Sequence, residues 1–156
     1  MAEQENMHAW SVGQDPLVVP LFLNLERARK VAHAKARMVW DQHGLTPAEF
    51  DVLATLRNAE APYELTPGQI QDRVLITSGG LTKVIHLLEE KTYVERSVAR
   101  NDNRVKPVRL TTAGNRCVTK AMKDLVIMTR EWMNAILTHE EIRSATRVLS
   151  KIADGS

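Results

Sequence analysis

The chain has 156 residues, of which 44% are hydrophobic and 26% are charged. This composition is typical of one globular domain and excludes a disordered or membrane-spanning class. The formal net charge of +2 is too small to indicate a nucleic-acid partner by itself. The single cysteine, Cys117, excludes an internal disulfide and a cysteine-based metal cluster within one chain.

The N-terminal region predicts a long helix and no targeting segment. Residues 1–14 lack the basic and apolar stretches of a signal peptide, and the sequence contains no run of eighteen apolar residues; we therefore expect a cytoplasmic protein with no membrane partner. Apolar residues then recur at helical spacing from Leu17 to about His43. A helix of this length in a small domain usually packs against a partner.

Three further helices begin with the same capping signal, a Thr followed three residues later by Glu or Gln. The pairs are Thr46 with Glu49, Thr66 with Gln69 and Thr138 with Glu141. They predict helices over residues 47–58, 67–74 and 139–152, with Phe50, Leu53, Leu56, Ile70 and Val74 facing inward. A fifth helix, in chain order, is predicted to follow Gly114 and to end near Leu137.

The fourth helix, predicted over residues 77–91, has one apolar face and one small, polar face. Its apolar face carries Leu81, Val84, Ile85 and Leu88, and its polar face carries Ser78, Thr82, Lys83 and His86. With the helix at 67–74 it forms a helix-turn-helix, a unit that inserts its second helix into a DNA major groove. Ser78 and Gly79 would allow close approach and offer amides to a phosphate. The alternative is an ordinary amphipathic helix with a solvated face.

Residues 93–98 and 107–111 have the pattern of two strands, and the polar turn 99–106 joins them into a β-hairpin. The turn is rich in basic and amide side chains, which suit phosphates or an adjacent minor groove. The residues predicted to contact DNA there are Arg100, Asn103, Arg104 and Lys106. Asp102 is predicted to hold the shape of the tip, because an acid facing phosphate would be repelled. A turn that is merely soluble is the alternative.

The charge distribution agrees with a DNA-facing edge. Residues 91–120 contain eight basic and two acidic side chains, a local balance of +6, whereas residues 45–75 contain two basic and five acidic ones, a balance of −3. The predicted fold class is therefore mainly α with a small β-hairpin wing: a winged helix-turn-helix flanked by long N- and C-terminal helices.

Several of these segments together resemble the MarR family of regulators. The resemblance lies in the wing, Asp102-Asn103-Arg104 followed by residues 108–114 (VRLTTAG), and in the fourth helix with its continuation, residues 77–83 (TSGGLTK), 87–91 (LLEEK) and 94–96 (VER). It covers residues 45–114 in detail and the flanking helices in outline. Two positions depart from the family pattern: Thr92 stands where Gly is usual, and Asn103 where a second Arg is frequent.

The resemblance implies one MarR-like domain over residues 1–156, with a DNA-binding lobe at 45–111 and dimerisation helices at 17–43 and 113–153. It implies a two-fold homodimer on pseudo-palindromic double-stranded DNA, acting as a repressor. The apolar residues of the C-terminal helices also exceed what a small winged-helix core needs. A small, often phenolic or anionic effector is a further implication, with binding residues unknown. His33, Arg37 and Trp40 could line its crevice, but residues at such helical spacing are more often packing and surface residues, and we do not assign them to a site.

Other function classes receive little support from the sequence. An enzyme would need a nucleophile with its base, a metal set or a phosphate loop, and no such motif occurs, so we expect no catalytic residues, no cofactor and no metal. The cysteine position of oxidant-sensing relatives is not occupied, and Cys117 is expected to be buried. A constitutive or architectural winged-helix protein that binds DNA or another protein, without ligand control, is the alternative function.

Overall fold

The structure is a computed structural model that describes residues 13–74, 76–97 and 106–155. The described residues form six helices and three short strands. In chain order these are α1 (Val18–Gln42), α2 (Pro47–Arg57), β1 (Glu64–Leu65), α3 (Pro67–Gln71), α4 (Ser78–Glu90), β2 (Val94–Arg96), β3 (Val108–Leu110), α5 (Thr112–Ile136) and α6 (His139–Ala153). The predicted mainly helical fold class with a wing is confirmed.

The chain divides into two compact units, Met1–Ala36 and Arg37–Ser156. The described part of the first unit, residues 13–36, contains most of α1 and the residues before it. The Asp15 carboxylate accepts hydrogen bonds from the amides of Leu17 and Val18 at 2.8 and 3.1 Å, which satisfies backbone donors at the start of the helix. Most of the large apolar side chains of this segment are exposed, among them Leu17, Leu21 and Phe22.

The second unit has a core between α2, α4, α5 and the sheet. Its most deeply buried side chains are Leu45, Val52, Leu53, Leu56, Ile70, Ile85, Leu88, Val108 and Val118. Apolar positions three and four residues apart on α2 and α4 supply most of this core, as the helical periodicity predicts.

The predicted helix starts are confirmed by complete capping boxes at Thr46, Thr66 and Thr138. In each, the Thr hydroxyl accepts the amide three residues on, and the Glu or Gln side chain accepts the amide of the Thr. Thr77 and Thr111 cap α4 and α5 through their hydroxyls alone. These bonds fix where α4 begins, and therefore which residues lie at its N-terminus.

The wing belongs to a three-stranded antiparallel sheet in the order β1-β3-β2, whereas the sequence predicted two strands. Leu65 pairs with Val108 and Arg96 pairs with Val108 from the other side. β1 has only two residues, too few to show strand alternation. Helix α3 is shorter than predicted: it ends at Gln71, and Val74 lies half-buried in the bend that follows.

Within the described ranges, no helix combines the length and the apolar character needed to cross a membrane.

Candidate nucleic-acid interface

Helix α4 buries one face and exposes the face that the sequence predicts to read DNA. Leu81, Val84, Ile85 and Leu88 are buried. The predicted DNA-contacting residues of this helix, Ser78, Gly79, Thr82, Lys83 and His86, are all exposed. Since residues four apart lie on one side of a helix, the polar residues form adjacent rows, Ser78 with Thr82 and His86, and Gly79 with Lys83.

Contacts within α4, one hydrogen bond and one ion pair, restrict what two of these polar side chains can offer to DNA. The Thr82 hydroxyl donates to the Ser78 carbonyl at 3.1 Å, so its oxygen is available mainly as an acceptor. The His86 Nδ1 lies 3.9 Å from a Glu90 carboxylate oxygen, with both side chains largely exposed. Thr82 is therefore suited to a donor such as an exocyclic base amine, and His86 keeps its Nε2 edge.

The two glycines at the start of α4 differ in the space around them. A Cβ built on Gly79 meets nothing within 4 Å, whereas one built on Gly80 lies 3.0 Å from atoms of Ile76 and Thr77. A side chain at Gly80 would therefore meet the side chains of the preceding turn. Gly79 presents backbone directly to the outside of the helix, which would suit a close approach to a duplex.

The connection from α4 to the wing contains a left-handed residue. Thr92 has a φ of 59°, at the position where the sequence departs from the family's usual Gly. A β-branched residue is unfavourable in this conformation because its Cβ crowds the backbone. The Thr111 hydroxyl donates to the Thr92 carbonyl at 2.8 Å, and this bond joins the connection to the start of α5.

Gly114 allows α5 to begin directly against this connection. A Cβ at Gly114 would collide with the Tyr93 carbonyl oxygen and would lie 3.0 Å from a methyl group of Leu110. The first contact is with backbone, which cannot rotate away as a flexible side chain can. The glycine of the VRLTTAG segment therefore has a packing role.

Three basic residues counted in the +6 segment have acidic partners within the protein. Lys91 donates to Glu49 at 2.6 Å and to the Gly44 carbonyl at 2.9 Å. Arg109 binds Glu64 through two nitrogens, at 2.9 and 2.8 Å, and Arg96 binds Glu89 at 3.1 Å. Local charge balance thus overstates the basic charge available to DNA. Two of these acids lie more than 40 residues from their partners, so composition within one window could not show them.

The Lys91 and Glu49 pair is the most buried of these. The Glu49 side chain is 1% exposed and that of Lys91 36%. Burial alone would raise the pKa of Glu49, but the hydrogen bond and charge of Lys91, with hydrogen bonds from Thr46, hold that pKa below its ordinary value. Glu49 is therefore a carboxylate at neutral pH, and it joins the N-terminus of α2 to Lys91, the residue that caps the C-terminal end of α4.

The wing residues predicted to contact DNA are only partly within the structure. Arg100, Asp102, Asn103 and Arg104 lie outside the described residues. Lys106 is described and exposed, and its carbonyl accepts a hydrogen bond from Arg96 at 3.3 Å. The predicted DNA contacts of all these residues, like those of α4, stay predictions.

The structure shows the surroundings of Trp40 and Cys117, whose roles the sequence left open. Trp40 is 8% exposed, and its ring centroid lies 5.6 Å from that of Phe50, so its packing is explained. Cys117 is half-buried rather than buried, with its Sγ 3.9 Å from the His43 carbonyl. A hydrogen bond with Cys117, together with burial, raises the pKa of Tyr93.

No group of three His, Cys, Asp or Glu side chains suited to a metal occurs among residues 13–74, 76–97 and 106–155.

A capped helix with an exposed polar face, preceded by a short helix and followed by a wing, defines a winged helix-turn-helix DNA-binding protein. Residues 43–104 match the model of the MarR family. The regulator MhqR of Bacillus subtilis is 30% identical over 133 residues, which are 85% of this chain and 88% of MhqR. The chain belongs to the MarR family. It is a DNA-binding transcriptional regulator, and the family is not one of enzymes.

Two solved structures show the same fold. A cysteine-to-serine variant of MarR from E. coli, complexed with operator DNA, is 25% identical with a TM-score of 0.73, covering 86% of this chain and 94% of that one. BpsR of Bordetella bronchiseptica, whose structure concerns regulation of its DNA binding by 6-hydroxynicotinic acid, is 22% identical with a TM-score of 0.75. That match covers 91% of this chain and 99% of BpsR.

Proposed function

We propose that this regulator is a homodimeric repressor that binds a pseudo-palindromic operator and is released by a small ligand of the aromatic-acid class. The observation that carries the DNA half of the proposal is the exposed polar face of α4 opposite its buried apolar face. A repressor of this kind acts where the genome lies, so the proposal includes a cytoplasmic location.

In this proposal the side chains of α4 divide between backbone and base contacts. Ser78 and Gly79, at the helix N-terminus, face a phosphate, which free amides and the helix dipole favour. Lys83 and His86 reach acceptors on base edges, and Thr82 accepts from a base amine. In the wing, Arg100, Asn103, Arg104 and Lys106 contact phosphates or the minor groove, and Asp102 holds the tip.

The C-terminal helices support a second copy of the chain as the partner. Among its described residues α6 buries none, although Ile142, Ala145, Leu149 and Ile152 form an apolar row at steps of three and four residues. On α5, Met122, Lys123, Val126, Ile127 and Arg130 line a groove of about 430 Å³. Exposed apolar rows of this kind are typical of subunit interfaces, and a two-fold dimer would present two α4 helices to one duplex.

Release by a ligand is supported by fold-level likeness. BpsR shares the fold, and 6-hydroxynicotinic acid regulates its DNA binding. A ligand that binds one conformation of a dimer more tightly shifts the population toward it, and a changed spacing of the two DNA-binding lobes would lower operator affinity. We assign no residue of this chain to the ligand site.

The experiment for the DNA half is selection of duplexes from a randomised pool, followed by titration of the selected duplex at several salt concentrations. A repressor is expected to select a two-fold symmetric sequence, to prefer it by about a thousandfold or more, and to bind with a steep salt dependence. Salt dependence without sequence preference would favour the architectural alternative. No binding at low salt would contradict the proposal.

The experiment for the ligand half is a thermal-shift screen of small aromatic acids, with release of the selected duplex as the readout. A regulating acid is expected to raise the melting temperature of the free protein and to lower its operator affinity at the same concentration. An acid series that stabilises the protein without changing DNA affinity would contradict ligand control by this class.

A further inference from the structure

The structure assigns Glu89 and Arg96 a role in placing the wing relative to α4, so that Arg96 promotes operator binding without contacting phosphate. We call this pair, with the Lys106 carbonyl that Arg96 also binds, the helix-to-wing bridge. The inference deepens the proposed function and rests on it, because it concerns how the same interface is held in place.

The bridge joins three parts of the interface through one guanidinium. Arg96 lies in β2, and its Nε donates to Glu89, near the C-terminal end of α4, at 3.1 Å. Its Nη1 donates to the carbonyl of Lys106, which precedes β3, at 3.3 Å. One side chain therefore connects the DNA-reading helix with the outgoing and returning arms of the wing.

The bridge can place the wing relative to α4 because of its position along the hairpin. Arg96 pairs with Val108, and the Ser97 amide donates to the Pro107 carbonyl at 3.0 Å. These are the last backbone links of the hairpin within the described residues, and the segment with Arg100 and Arg104 is attached directly beyond them. A change in the angle between β2 and α4 at this point would displace Ser97 and Lys106, the described residues between which residues 98–105 lie in the chain.

The surroundings of the pair make it stronger than an ordinary surface ion pair. The side chains of Arg96 and Glu89 are 34% and 31% exposed, so solvent screens them only in part. A planar guanidinium that donates from two nitrogens also fixes orientation, which a lysine ammonium on a flexible stem does not.

The competing interpretation is that Arg96 contacts a phosphate directly. A variant of its acidic partner, Glu89, distinguishes between the two interpretations. Removing a negative charge near DNA should strengthen binding, or leave it unchanged, if electrostatics alone matters. If Glu89 holds Arg96 and thereby the wing, Glu89→Gln should weaken binding. Glu90→Gln is the matched control, because it removes the same charge from the next residue of α4 and leaves the bridge intact. Since Glu90 lies 3.9 Å from the His86 Nδ1, this control is made both in the wild-type protein and in a His86→Gln background.

The test measures affinity for a duplex that the wild-type protein selects from a randomised pool, as a function of salt. We expect Glu89→Gln, Arg96→Gln and Arg96→Lys each to weaken binding about fivefold, with an unchanged salt slope. Glu90→Gln should bind as tightly as wild type or more tightly. The double variant Glu89→Gln, Arg96→Gln should bind no more weakly than Arg96→Gln alone, because both changes remove one interaction.

Two results would overturn the inference. One is equal binding by the Glu89→Gln and Glu90→Gln variants. The other is an Arg96→Gln variant whose salt slope falls by about one while Arg96→Lys binds normally, which identifies a phosphate contact. Circular dichroism and melting of each free variant verify folding, and Arg96→Lys, the milder change, gives the comparison if Arg96→Gln unfolds.

Failure of the proposed function gives a different result. If the pool yields no preferred duplex, the repressor proposal is contradicted. The same variants are then compared on a duplex of random sequence at low salt, where the inference predicts the same order of affinities.

Discussion

Residues 45–111, the lobe that we propose binds DNA, bury their large apolar side chains, whereas the C-terminal helices expose many of theirs. The lobe contains Leu45, Leu53, Leu56, Ile70 and Leu88, all at most 2% exposed. Beyond Ala121, neither α5 nor α6 has a buried residue within the described part of the chain, although Ile127, Ile136, Val148, Leu149 and Ile152 are apolar. One region completes its core within a single chain, and the other exposes the apolar surface from which we infer a second copy.

This difference separates two kinds of mutational effect. Substitutions in the lobe should change the free energy of unfolding at any protein concentration. Substitutions on the exposed row of α6 should act on association and depend on concentration.

The largest effect is expected for Leu149→Lys, in the middle of the α6 row and 44% exposed in the single chain. In a two-fold dimer the change occurs twice, and two buried charges should cost about 4 kcal/mol of dimerisation free energy, roughly a thousandfold in the dimer dissociation constant. Sedimentation at micromolar concentration should show monomers. Ser150→Lys, on the polar side of the same helix, is the control and should stay dimeric. Monomeric wild-type protein would contradict the dimer itself.

Next in size is Gly114→Ala, which should lower the free energy of unfolding by about 3 kcal/mol, because the new methyl group collides with the Tyr93 carbonyl. Chemical denaturation measures the change. Gly79→Ala is the matched control: its Cβ has open space, so stability should be unchanged or higher, since Ala favours helix, while operator affinity falls if α4 approaches DNA closely. Equal stabilities for the two variants would contradict the packing role of Gly114.

Glu49→Gln should cost about 2 kcal/mol at neutral pH, because it leaves the Lys91 ammonium without its buried partner. The corresponding change in α6, Glu141→Gln, keeps an exposed capping box and should have a much smaller effect. Chemical denaturation of both variants compares the lobe with the C-terminal helices. Similar losses in the free energy of unfolding would show that the buried ion pair of Glu49 stabilises the protein no more than an exposed capping box does.

The pair of Glu49 and Lys91 should also make the free energy of unfolding depend on pH. The pKa of Glu49 is lowered in the folded state, so its stabilisation is fully present above the ordinary glutamate pKa of about 4.3 and is lost as the pH falls through the lower folded value. Wild-type stability should therefore fall more steeply than that of Glu49→Gln below about pH 4.3. Parallel curves would exclude Glu49 as the source.

The smallest effect is expected for Thr92→Gly, a stabilisation of about 1 kcal/mol, because glycine adopts the left-handed conformation without strain. Thr92→Ala removes the hydroxyl but keeps the Cβ, so its stability should remain close to that of wild type. Thermal melting of both variants separates backbone strain from loss of the side chain, and an equal gain for the two would contradict strain at this position.

The sequence predicts the local features of this fold well. Thr46, Thr66 and Thr138 cap their helices as the spacing indicates, because a capping box involves only residues three apart. Strand β1 was missed because its two residues are held by distant contacts, including the bond of Glu64 with Arg109 in β3. The end of α3 was placed too late, because Val74 continues the apolar spacing past the point where the helix stops.

The interface was predictable to a similar extent. The exposed row of α4 follows from helical periodicity, and the exposure of Ser78, Lys83 and His86 agrees with it. The pairing of Lys91, Arg96 and Arg109 with acids did not follow, because a charge count cannot show which side chains meet. The family resemblance marked Thr92 as a position where Gly is usual. The structure gives the physical reason, because this residue has a left-handed backbone conformation.

The most direct test of the central claim, that two α4 helices of one dimer read one operator, is the effect of half-site spacing. The duplex selected by the wild-type protein is compared with one in which five base pairs, half a helical turn, are inserted at its centre of symmetry. We predict that affinity falls to the level of random DNA, because the two half-sites then face different sides of the duplex. Unchanged affinity would contradict recognition by a symmetric dimer.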